Sequence, residues 1–376
     1  MTETLSSGPP SPLIQQEDVV DRLRLLRSRR VGVVTYRRLI AEHGSAAAAL
    51  AALPAIAGAA GVADYAVCPR EVVLAEIRAG RAAGARLVVA GMDHYPGTFA
   101  DIPDAPPIFW TIGDIGLLQR PLVAIVGARN ASSLGLRMAK RLAKDLGAAG
   151  YAVVSGLARG IDKAAHEGAM AGGTIAVHAG GVDHVYPAEH GDLAAEIATK
   201  GLRMSEMPMG LAPQARHFPA RNRIIAGIAR AVIVVEAAAK SGSLITAANA
   251  LDYGREVLAV PGHPFDARGW GCNTLIRDGA TLVRGIDDVL EVLTAHKIAA
   301  APVPAPRPAD PARRGLRETA KLHRMILDRL SPTPVAEDQL LRDVQASATD
   351  LAPVLVELEL DGKVIRTAGG MVAKAG

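Results

Sequence analysis

The sequence predicts an α/β protein whose main part is an open, doubly wound sheet, with a small helical domain before it and a winged-helix-like domain after it. The chain has 376 residues, which is enough for two or three domains. Between residues 86 and 297, short apolar runs recur about every 20 to 30 residues, with helical segments between them. This alternation is typical of βαβ units that build a parallel sheet.

Seven apolar runs are the predicted strands of this sheet: LVVAG, LVAIVG, YAVVSG, TIAVHAG, LRMSE, AVIVVEA and EVLAVPG. Most of them are apolar at consecutive positions, as strands covered by helices on both faces must be. Ligands of a doubly wound sheet bind at the carboxyl ends of its strands. The loops of this sequence that are rich in glycine and arginine all fall at those ends.

The segments before the sheet are a tail and a helical domain. Residues 1–16 are rich in Ser, Pro and Gln and are expected to be disordered. Residues 17–85 predict short helices with helix-hairpin-helix character, which either contact nucleic-acid backbone or serve as packing modules. Ala46 to Ala63 carries no charge, but its alanine content and Pro54 indicate helix packing, so no membrane span is expected.

The segments after the sheet are a linker and a C-terminal domain. Residues 298–315 form a Pro and Ala linker, expected to be extended. Residues 316–376 predict helical stretches, including Val335 to Val344, followed by a hairpin that turns at Gly369 and Gly370. This order is typical of a winged helix, a fold that often binds duplex DNA. Its 11 basic and 10 acidic residues from Ala299 onward do not require that role.

Composition excludes several classes of site. The two cysteines, Cys68 and Cys272, lie far apart, and no Cys/His pattern suggests a metal ion, so a reducing, cytoplasmic location is predicted. The net charge is only +4. The positive charge is nevertheless concentrated locally, because two stretches contain basic residues and no Asp or Glu: Ile115–Lys144 and Met207–Val235. Both stretches include strand-to-helix turns, which suggests that a polyanion meets one edge of the sheet.

The most informative motif is SGLARGIDKAAH, which runs from Ser155 to His166 after a predicted strand. Free amides and the dipole at a helix N-terminus favour an anion, and Arg159 adds a planar donor fork suited to phosphate. An ordinary turn with a surface arginine is the alternative. Asp162 and His166 lie one helical turn apart and are expected to support the loop, so no catalytic residue is assigned.

Three further loops carry candidate residues. In GARNASSLG, Arg129 stands where a dinucleotide loop needs its second glycine, and no Walker ending follows, so neither NAD nor ATP nor any other cofactor is expected. FPARNRIIAG contains Arg221 and Arg223 at a helix start. Lys240 precedes a Ser-Gly-Ser turn that again places a cation beside free amides.

Taken in order, VAIVGARNAS, SGLARGIDKAAH, GGTIAVHAGGVDHVYP, FPARNRIIAG, VVEAAAKSGSLITA and GCNTLIRDGA resemble the DNA-processing protein A family, also called DprA or Smf. The resemblance implies an extended Rossmann-like fold, with a sterile-alpha-motif-like domain before it and a winged helix after it. It also implies a cofactor-free protein that binds single-stranded DNA, protects incoming DNA during natural transformation, and loads the recombinase RecA. Family members form homodimers through the Rossmann-like domain.

The resemblance assigns DNA contacts to named residues. Arg159 and Lys240 match positions that contact DNA in the family. The family's pocket motifs are matched by Gly127, Arg129, Ser155, Gly156, Arg221 and Arg223. The residues themselves add three more predicted DNA-binding positions, which are Phe218, Ser241 and Gly242. The chain departs from the family pattern at Leu134, where many members have Tyr, and at His190, where they have Asn.

Two other functions remain open. A nucleotide phosphoribohydrolase-like enzyme could use such a fold, but Thr246 stands about where its glutamate would be. A duplex-binding regulator acting through the winged helix would leave the central loops unexplained. Because aromatic residues make up only 3% of the chain, phosphate contacts are expected to dominate, with Phe218 and Trp270 as stacking candidates.

Overall fold

The structure is a computed structural model. It describes residues 16–59, 64–299, 325–331, 335–344, 351, 355, 358, 364–367 and 371–374. The chain divides into two compact units after Ile298. Nearly all of the predicted N-terminal tail and of the predicted linker lies outside the described residues.

The first unit begins with helices that form a small core. They are α1 Gln16–Arg27, α2 Val33–His43, α3 Ala46–Ala59 and α4 Arg70–Ala82. Leu25, Leu39 and Leu50 pack together at the centre of this helical domain. Arg27 joins α1 to α4 through an ion pair with Glu76, whose carboxylate lies 2.8 Å from the guanidinium. The predicted helical domain is therefore present.

A nine-stranded mixed sheet follows. Its strands are β1 Arg86–Val89, β2 Ile108–Gly113, β3 Leu122–Val126, β4 Ala152–Ser155, β5 Thr174–Val177, β6 Leu202–Ser205, β7 Ala231–Val234, β8 Glu256–Ala259 and β9 Thr281–Leu282. Their order is β1-β2-β6-β5-β4-β3-β7-β8-β9. Every neighbouring pair from β6 to β9 in this order is parallel. By contrast, β2 pairs antiparallel with both of its neighbours, β1 and β6.

All seven predicted strands are present, but the sequence pattern missed β2 and β9. The connection from β1 to β2 contains only a short 3-10 turn, Gly97–Phe99, in place of a crossover helix. Without a crossover helix the chain returns antiparallel. The first predicted strand is therefore part of an antiparallel edge and not of the parallel βαβ series.

Helices cover both faces of the sheet. They are α5 Ser133–Ala148, α6 Ile161–Ala169, α7 Gly191–Lys200, α8 His217–Ile228, α9 Gly242–Asp252, α10 Trp270–Arg277 and α11 Ile286–Ala299. Successive residues of β3 point to opposite faces. Val123 and Ile125 belong to the core beneath α5, α6 and α11, whereas Ala124 and Val126 belong to the core beneath α8, α9 and α10. Burial on both faces explains the consecutive apolar residues.

The strand order places a crevice between β3 and β7. From β3 the chain adds β4, β5 and β6 on one side, and it then crosses over to add β7, β8 and β9 on the other. The ends of β3 and β7 remain joined, since the Val235 amide donates to the Val126 carbonyl at 3.1 Å. The loops that follow these two strands diverge to opposite faces, which opens a binding crevice at such switch points.

The second unit is a winged helix. Residues 325–329 and Glu337–Val344 are helical, and a small antiparallel sheet has the order β10 Val335–Ala336, β12 Met371–Lys374, β11 Val364–Thr367. Ile326, Leu340 and Val372 pack in its core. The predicted helix over Val335 and Ala336 is wrong, because these residues pair with β12. The predicted turn at 369–370 lies outside the described residues.

Neither a single spanning helix nor a metal cluster occurs in the part of the chain that the structure describes. No helix there is long and apolar enough to cross a membrane alone, and the pair α2 and α3 reaches that length only with a bend of 107°. No three His, Cys, Asp or Glu residues are grouped as metal ligands in that part. The thiols of Cys68 and Cys272 are free and buried.

Candidate functional site

A cleft of about 990 Å³ lies at the carboxyl ends of β3, β4 and β7. One wall is the loop after β3, from Gly127 to Asn130, and the opposite wall is the turn from Lys240 to Ser243. The start of α8 closes the cleft with Phe218 and Arg221. The cleft therefore occupies the crevice between β3 and β7.

Cations dominate the open face of the cleft. Arg129 and Lys240 are exposed on opposite walls, and Lys240 has no ion-pair partner among the described residues. Arg268 also lines the cleft, but it pairs with Asp266 at 2.9 Å. Asp162 is the one carboxylate among the described lining residues. Such a surface attracts anions and holds them by charge-assisted hydrogen bonds.

Two aromatic rings form an apolar wall beside these cations. The rings of Phe218 and Tyr186 meet edge to face with centroids 5.6 Å apart. The guanidinium carbon of Arg129 lies 5.3 Å from the Phe218 centroid, and that of Arg221 lies 5.9 Å from it. These cation–π contacts orient the ring. The site thus combines anion-binding groups with a surface on which a flat apolar group can pack.

The amides of the SGLARGID loop are already used by the protein. Those of Gly156 and Ala158 donate to the Asp162 carboxylate at 3.1 and 3.3 Å, and that of Leu157 donates to His166 at 3.2 Å. The prediction that free amides make this loop an anion site is therefore wrong at these positions. The prediction that Asp162 and His166 support the loop is confirmed. Burial raises the pKa of Asp162, and the charge of Arg221 opposes the rise.

His166 and His190 hold the loop from two sides. Because Nε2 of His166 accepts from Leu157, its Nδ1 carries the proton and donates to the Thr174 hydroxyl at 2.7 Å. Burial lowers the pKa of His166 to about 3, which keeps the ring neutral at physiological pH. Nδ1 of His190 donates to the Leu157 carbonyl at 2.9 Å. These bonds stabilise Leu157 at a φ of 56°, in the left-handed region.

The loop after β3 also lacks a free helix N-terminus. Glu236, at the end of β7, accepts hydrogen bonds from the Ser132 amide at 2.9 Å and the Ser132 hydroxyl at 2.5 Å. Its carboxylate therefore occupies the N-terminus of α5, where an external anion would otherwise bind. Gly135 lies so close that a Cβ there would be 2.6 Å from a Glu236 oxygen. In this loop, the group that can bind an external anion is the exposed Arg129 side chain.

Arg221 and Arg223 serve different parts of the fold. Arg221 is buried, and its Nη1 donates to the carbonyls of Gly156 and Val177, the latter at 2.8 Å. Arg223 pairs with Glu206 beside the antiparallel edge of the sheet. Residues two apart on a helix point about 200° away from each other. The expectation that both arginines line one site therefore fails for Arg223, which does not line the cleft.

Arg159 and Ser155 lie outside the cleft lining. Arg159 is exposed, and its guanidinium donates to both Glu189 oxygens at 2.7 Å. Ser155 is buried and donates to the Ile125 carbonyl at 2.7 Å. Gly156 is buried behind Arg221, where a Cβ would clash with the guanidinium. Of the predicted binding residues, those that line the cleft are Gly127, Arg129, Phe218, Arg221, Lys240, Ser241 and Gly242.

Sequence reasoning missed Tyr186, Glu236 and Arg268. Arg268 follows β8 at the same edge as the predicted loops, so the rule that found Lys240 could have found it. Tyr186 precedes a proline in the YPAEH segment, and no local pattern marks it as part of the cleft. Trp270, a predicted stacking candidate, is exposed at the start of α10 but does not line the cleft.

Family profiles match all three regions of the chain. The profile of DNA recombination-mediator protein A matches residues 86–294, that of the DprA-like N-terminal HHH domain matches 16–79, and that of the DprA winged helix domain matches 302–370. DNA processing protein DprA of Bacillus subtilis is 40% identical over 225 residues, which cover 59% of this chain and 76% of that protein. The Streptococcus pneumoniae DprA is 44% identical over 200 residues, or 53% and 71% of the two chains.

Two solved structures share the fold. DNA processing protein A from Streptococcus pneumoniae superposes with a TM-score of 0.57 at 33% identity, over 75% of this chain and 94% of that one. DNA processing protein A from Helicobacter pylori, whose structure concerns its single-stranded DNA binding mode, gives a TM-score of 0.52 at 29% identity, over 56% and 96% of the chains. The chain belongs to the DNA recombination-mediator protein A family, the DprA/Smf family that its central motifs resemble.

Proposed function

We propose that this chain is a DNA-processing protein that binds single-stranded DNA along the cleft between β3 and β7. The observation that carries the proposal is the pair of exposed cations, Arg129 and Lys240, on opposite walls beside the rings of Phe218 and Tyr186. Single-strand binders combine cations that follow the backbone with aromatic faces on which bases stack. The Helicobacter pylori relative, which has a single-stranded DNA binding mode, supports the same class of ligand.

In this proposal the residues have distinct roles. Arg129 and Lys240 bind phosphates, the turn at Ser241 and Gly242 lets the backbone approach closely, and Phe218 packs against a base. Gly127 lets the opposite wall pack closely against α6, because a Cβ there would lie 2.7 Å from an Ile161 side-chain carbon. These contacts read the backbone and not the base edges, so binding is expected to be nearly independent of sequence.

Arg159 extends the site beyond the cleft. Its ion pair with Glu189 is exposed to solvent, and exposed pairs are weak enough for a DNA phosphate to replace the carboxylate. With Arg129, Lys240 and Arg159 each neutralising one phosphate, the logarithm of the binding constant should fall with the logarithm of salt concentration with a slope of about −2.

Membership of the family supports a proposal for a finer role. We propose that the bound strand is protected from degradation and passed to RecA during natural transformation, by a cytoplasmic homodimer formed through the Rossmann-like domain. RecA assembly on single strands, measured with and without the protein, tests the transfer. Light-scattering mass in solution tests the dimer.

We propose binding without catalysis. Thr246, which stands about where a phosphoribohydrolase would carry its glutamate, is buried in the lining of the cleft. Asp162 is the one carboxylate among the described lining residues, and it accepts hydrogen bonds from two backbone amides. Burial raises the pKa of Asp162. Release of free base from AMP or single-stranded DNA by the purified protein would contradict this part of the proposal.

The decisive experiment reverses two charges. The double variant Arg159→Glu with Lys240→Glu should abolish binding to oligo-dT in a gel shift with a salt titration, while its circular dichroism and melting temperature stay unchanged. Arg141→Glu with Lys200→Glu is the matched control, because both residues are exposed on helices and pair with residues of their own helix. Undiminished binding by the first variant would overturn the proposed site.

A further inference from the structure

The loop between β8 and α10 displays an aromatic ring three positions before Arg268, which lines the cleft. Phe265 is 95% exposed, the most exposed large hydrophobic side chain in the described part of the chain, and the His263 ring lies 5.7 Å from it at an angle of 38°. The other three phenylalanines behave differently: Phe99 and Phe109 are buried, and Phe218 lines the cleft. Full exposure of a phenylalanine forgoes the free energy of burying the ring and leaves the ring free to pack against a ligand.

The base of this loop is held firmly. Gly262 and Gly269 pack so closely that a Cβ on Gly262 would lie 2.3 Å from the Gly269 Cα. Asn273 bonds Gly262 on both sides, accepting from its amide at 3.0 Å and donating to its carbonyl at 2.9 Å. Within the loop, the carboxylate of Asp266 accepts from the Arg268 amide at 2.9 Å. The backbone that carries Phe265 is therefore fixed at its base, so ordering this backbone costs little entropy on binding.

The same loop is joined to the cleft. The Ala237 amide donates to the Arg268 carbonyl at 2.7 Å, and the Arg268 side chain lines the cleft. Phe265 stands three positions before Arg268, so their Cα atoms lie at most about 11 Å apart. That distance corresponds to about three nucleotides at the 3.4 Å rise of a stacked strand. The ring is thus within reach of a strand that leaves the cleft past Arg268.

We propose that Phe265, with His263 behind it, forms a second base-stacking site for single-stranded DNA, outside the cleft and on its Arg268 side. This inference rests on the proposed function. A single-stranded base fits the observations because the ring belongs to the loop that supplies Arg268 to a cationic groove. Such a groove selects a polyanion, and a single strand is a polyanion that also carries flat apolar groups. A base stacked on Phe265 would set the exit direction of the strand and lengthen the binding site.

The test compares oligonucleotide lengths on the full chain. Phe265→Ala should weaken binding of oligo-dT of about 20 nucleotides roughly tenfold, the effect of one lost stacking contact. It should leave binding of an oligo-dT of about 6 nucleotides, which occupies the cleft alone, unchanged. The salt dependence should be unaltered because no charge is removed. Leu251→Ala, which trims another exposed apolar residue, on α9, is the control.

A second variant reports the contact directly. Phe265→Trp should restore the affinity for the longer strand, and added DNA should quench its indole emission more than that of the wild type, in which Trp270 is exposed. An equal loss of affinity for both lengths in Phe265→Ala, no loss for the longer strand, or no quenching of Phe265→Trp beyond that of the wild type overturns the second site. So does a change in solution mass with Phe265→Ala, since the ring would then contact another copy of the chain. Lys240→Glu, measured alongside, tests the cleft separately, because unchanged binding by that variant would overturn the proposed function itself.

Discussion

Replacing Arg221 with methionine separates a structural arginine from a DNA-contacting one. Arg221 lines the cleft, but it is buried, bonds the carbonyls of Gly156 and Val177, and lies near the Asp162 carboxylate. Methionine keeps an unbranched, apolar stem and removes both hydrogen bonds and the charge. We therefore expect Arg221→Met to lower the stability of the fold.

The magnitude follows from what the substitution leaves behind. Each buried carbonyl that loses its donor costs about 1–3 kcal/mol, and removing one partner of a buried ion pair costs about 3–5 kcal/mol. These costs overlap, because protonation of Asp162 relieves the unpaired charge. We expect the free energy of unfolding to fall by about 3–5 kcal/mol.

The loss should depend on pH in a defined direction. Burial raises the folded-state pKa of Asp162 above its ordinary value of 3.8, so the folded state holds this proton more tightly than the unfolded state. Stability is therefore lost as pH rises from the ordinary pKa through the raised one. Because Arg221 opposes the rise, its removal extends that interval upward. The deficit of Arg221→Met should be larger at about pH 7 than at about pH 5.

Urea unfolding followed by circular dichroism measures both effects. Arg129→Met is the matched control, because Arg129 contacts the same Phe218 ring from an exposed position. This control should change stability by at most about 0.5 kcal/mol and should weaken DNA binding. If Arg221→Met unfolds like the wild type and loses only DNA binding, the structural role of Arg221 is refuted.

Two further predictions concern Glu189 and the buried histidines. Glu189→Gln should free Arg159 and so raise the affinity for oligo-dT about two- to fivefold, as measured by fluorescence anisotropy. The control Glu196→Gln removes an exposed partner of Lys200 and should leave the affinity unchanged. An equal rise in affinity for both variants would contradict a specific role for Glu189. Burial lowers the pKa of His166 and of His178 to about 3 in the folded state. The two neutral rings therefore contribute fully to stability above the ordinary histidine pKa of 6.5. This contribution is lost as the pH falls from 6.5 toward 3. Urea unfolding should then show a loss of about 1.4 kcal/mol per pH unit for each histidine, and His178→Asn should reduce the slope, whereas an unchanged slope would show that His178 does not contribute.

Much of the fold follows from local sequence. Strands β3, β4 and β7 are apolar at consecutive positions because helices cover both faces, and that pattern is visible without coordinates. The edge of the sheet that carries the cleft also follows, since loops after parallel strands meet at one edge. Arg129 and Lys240 were placed there by these rules alone. By contrast, β2 was missed because its antiparallel pairing depends on β6, a strand about 90 residues later.

The tertiary structure decided which donors and charges remain available to a ligand. The sequence correctly placed glycines, arginines and helix starts at one edge, because these depend on residues close together in the chain. It could not show that Asp162 binds the amides of its own loop, or that Glu236 reaches Ser132 from 104 positions away. Nor could it separate buried Arg221 from exposed Arg159. A side chain's partners depend on which distant residues pack around it, and only the folded chain brings those residues together.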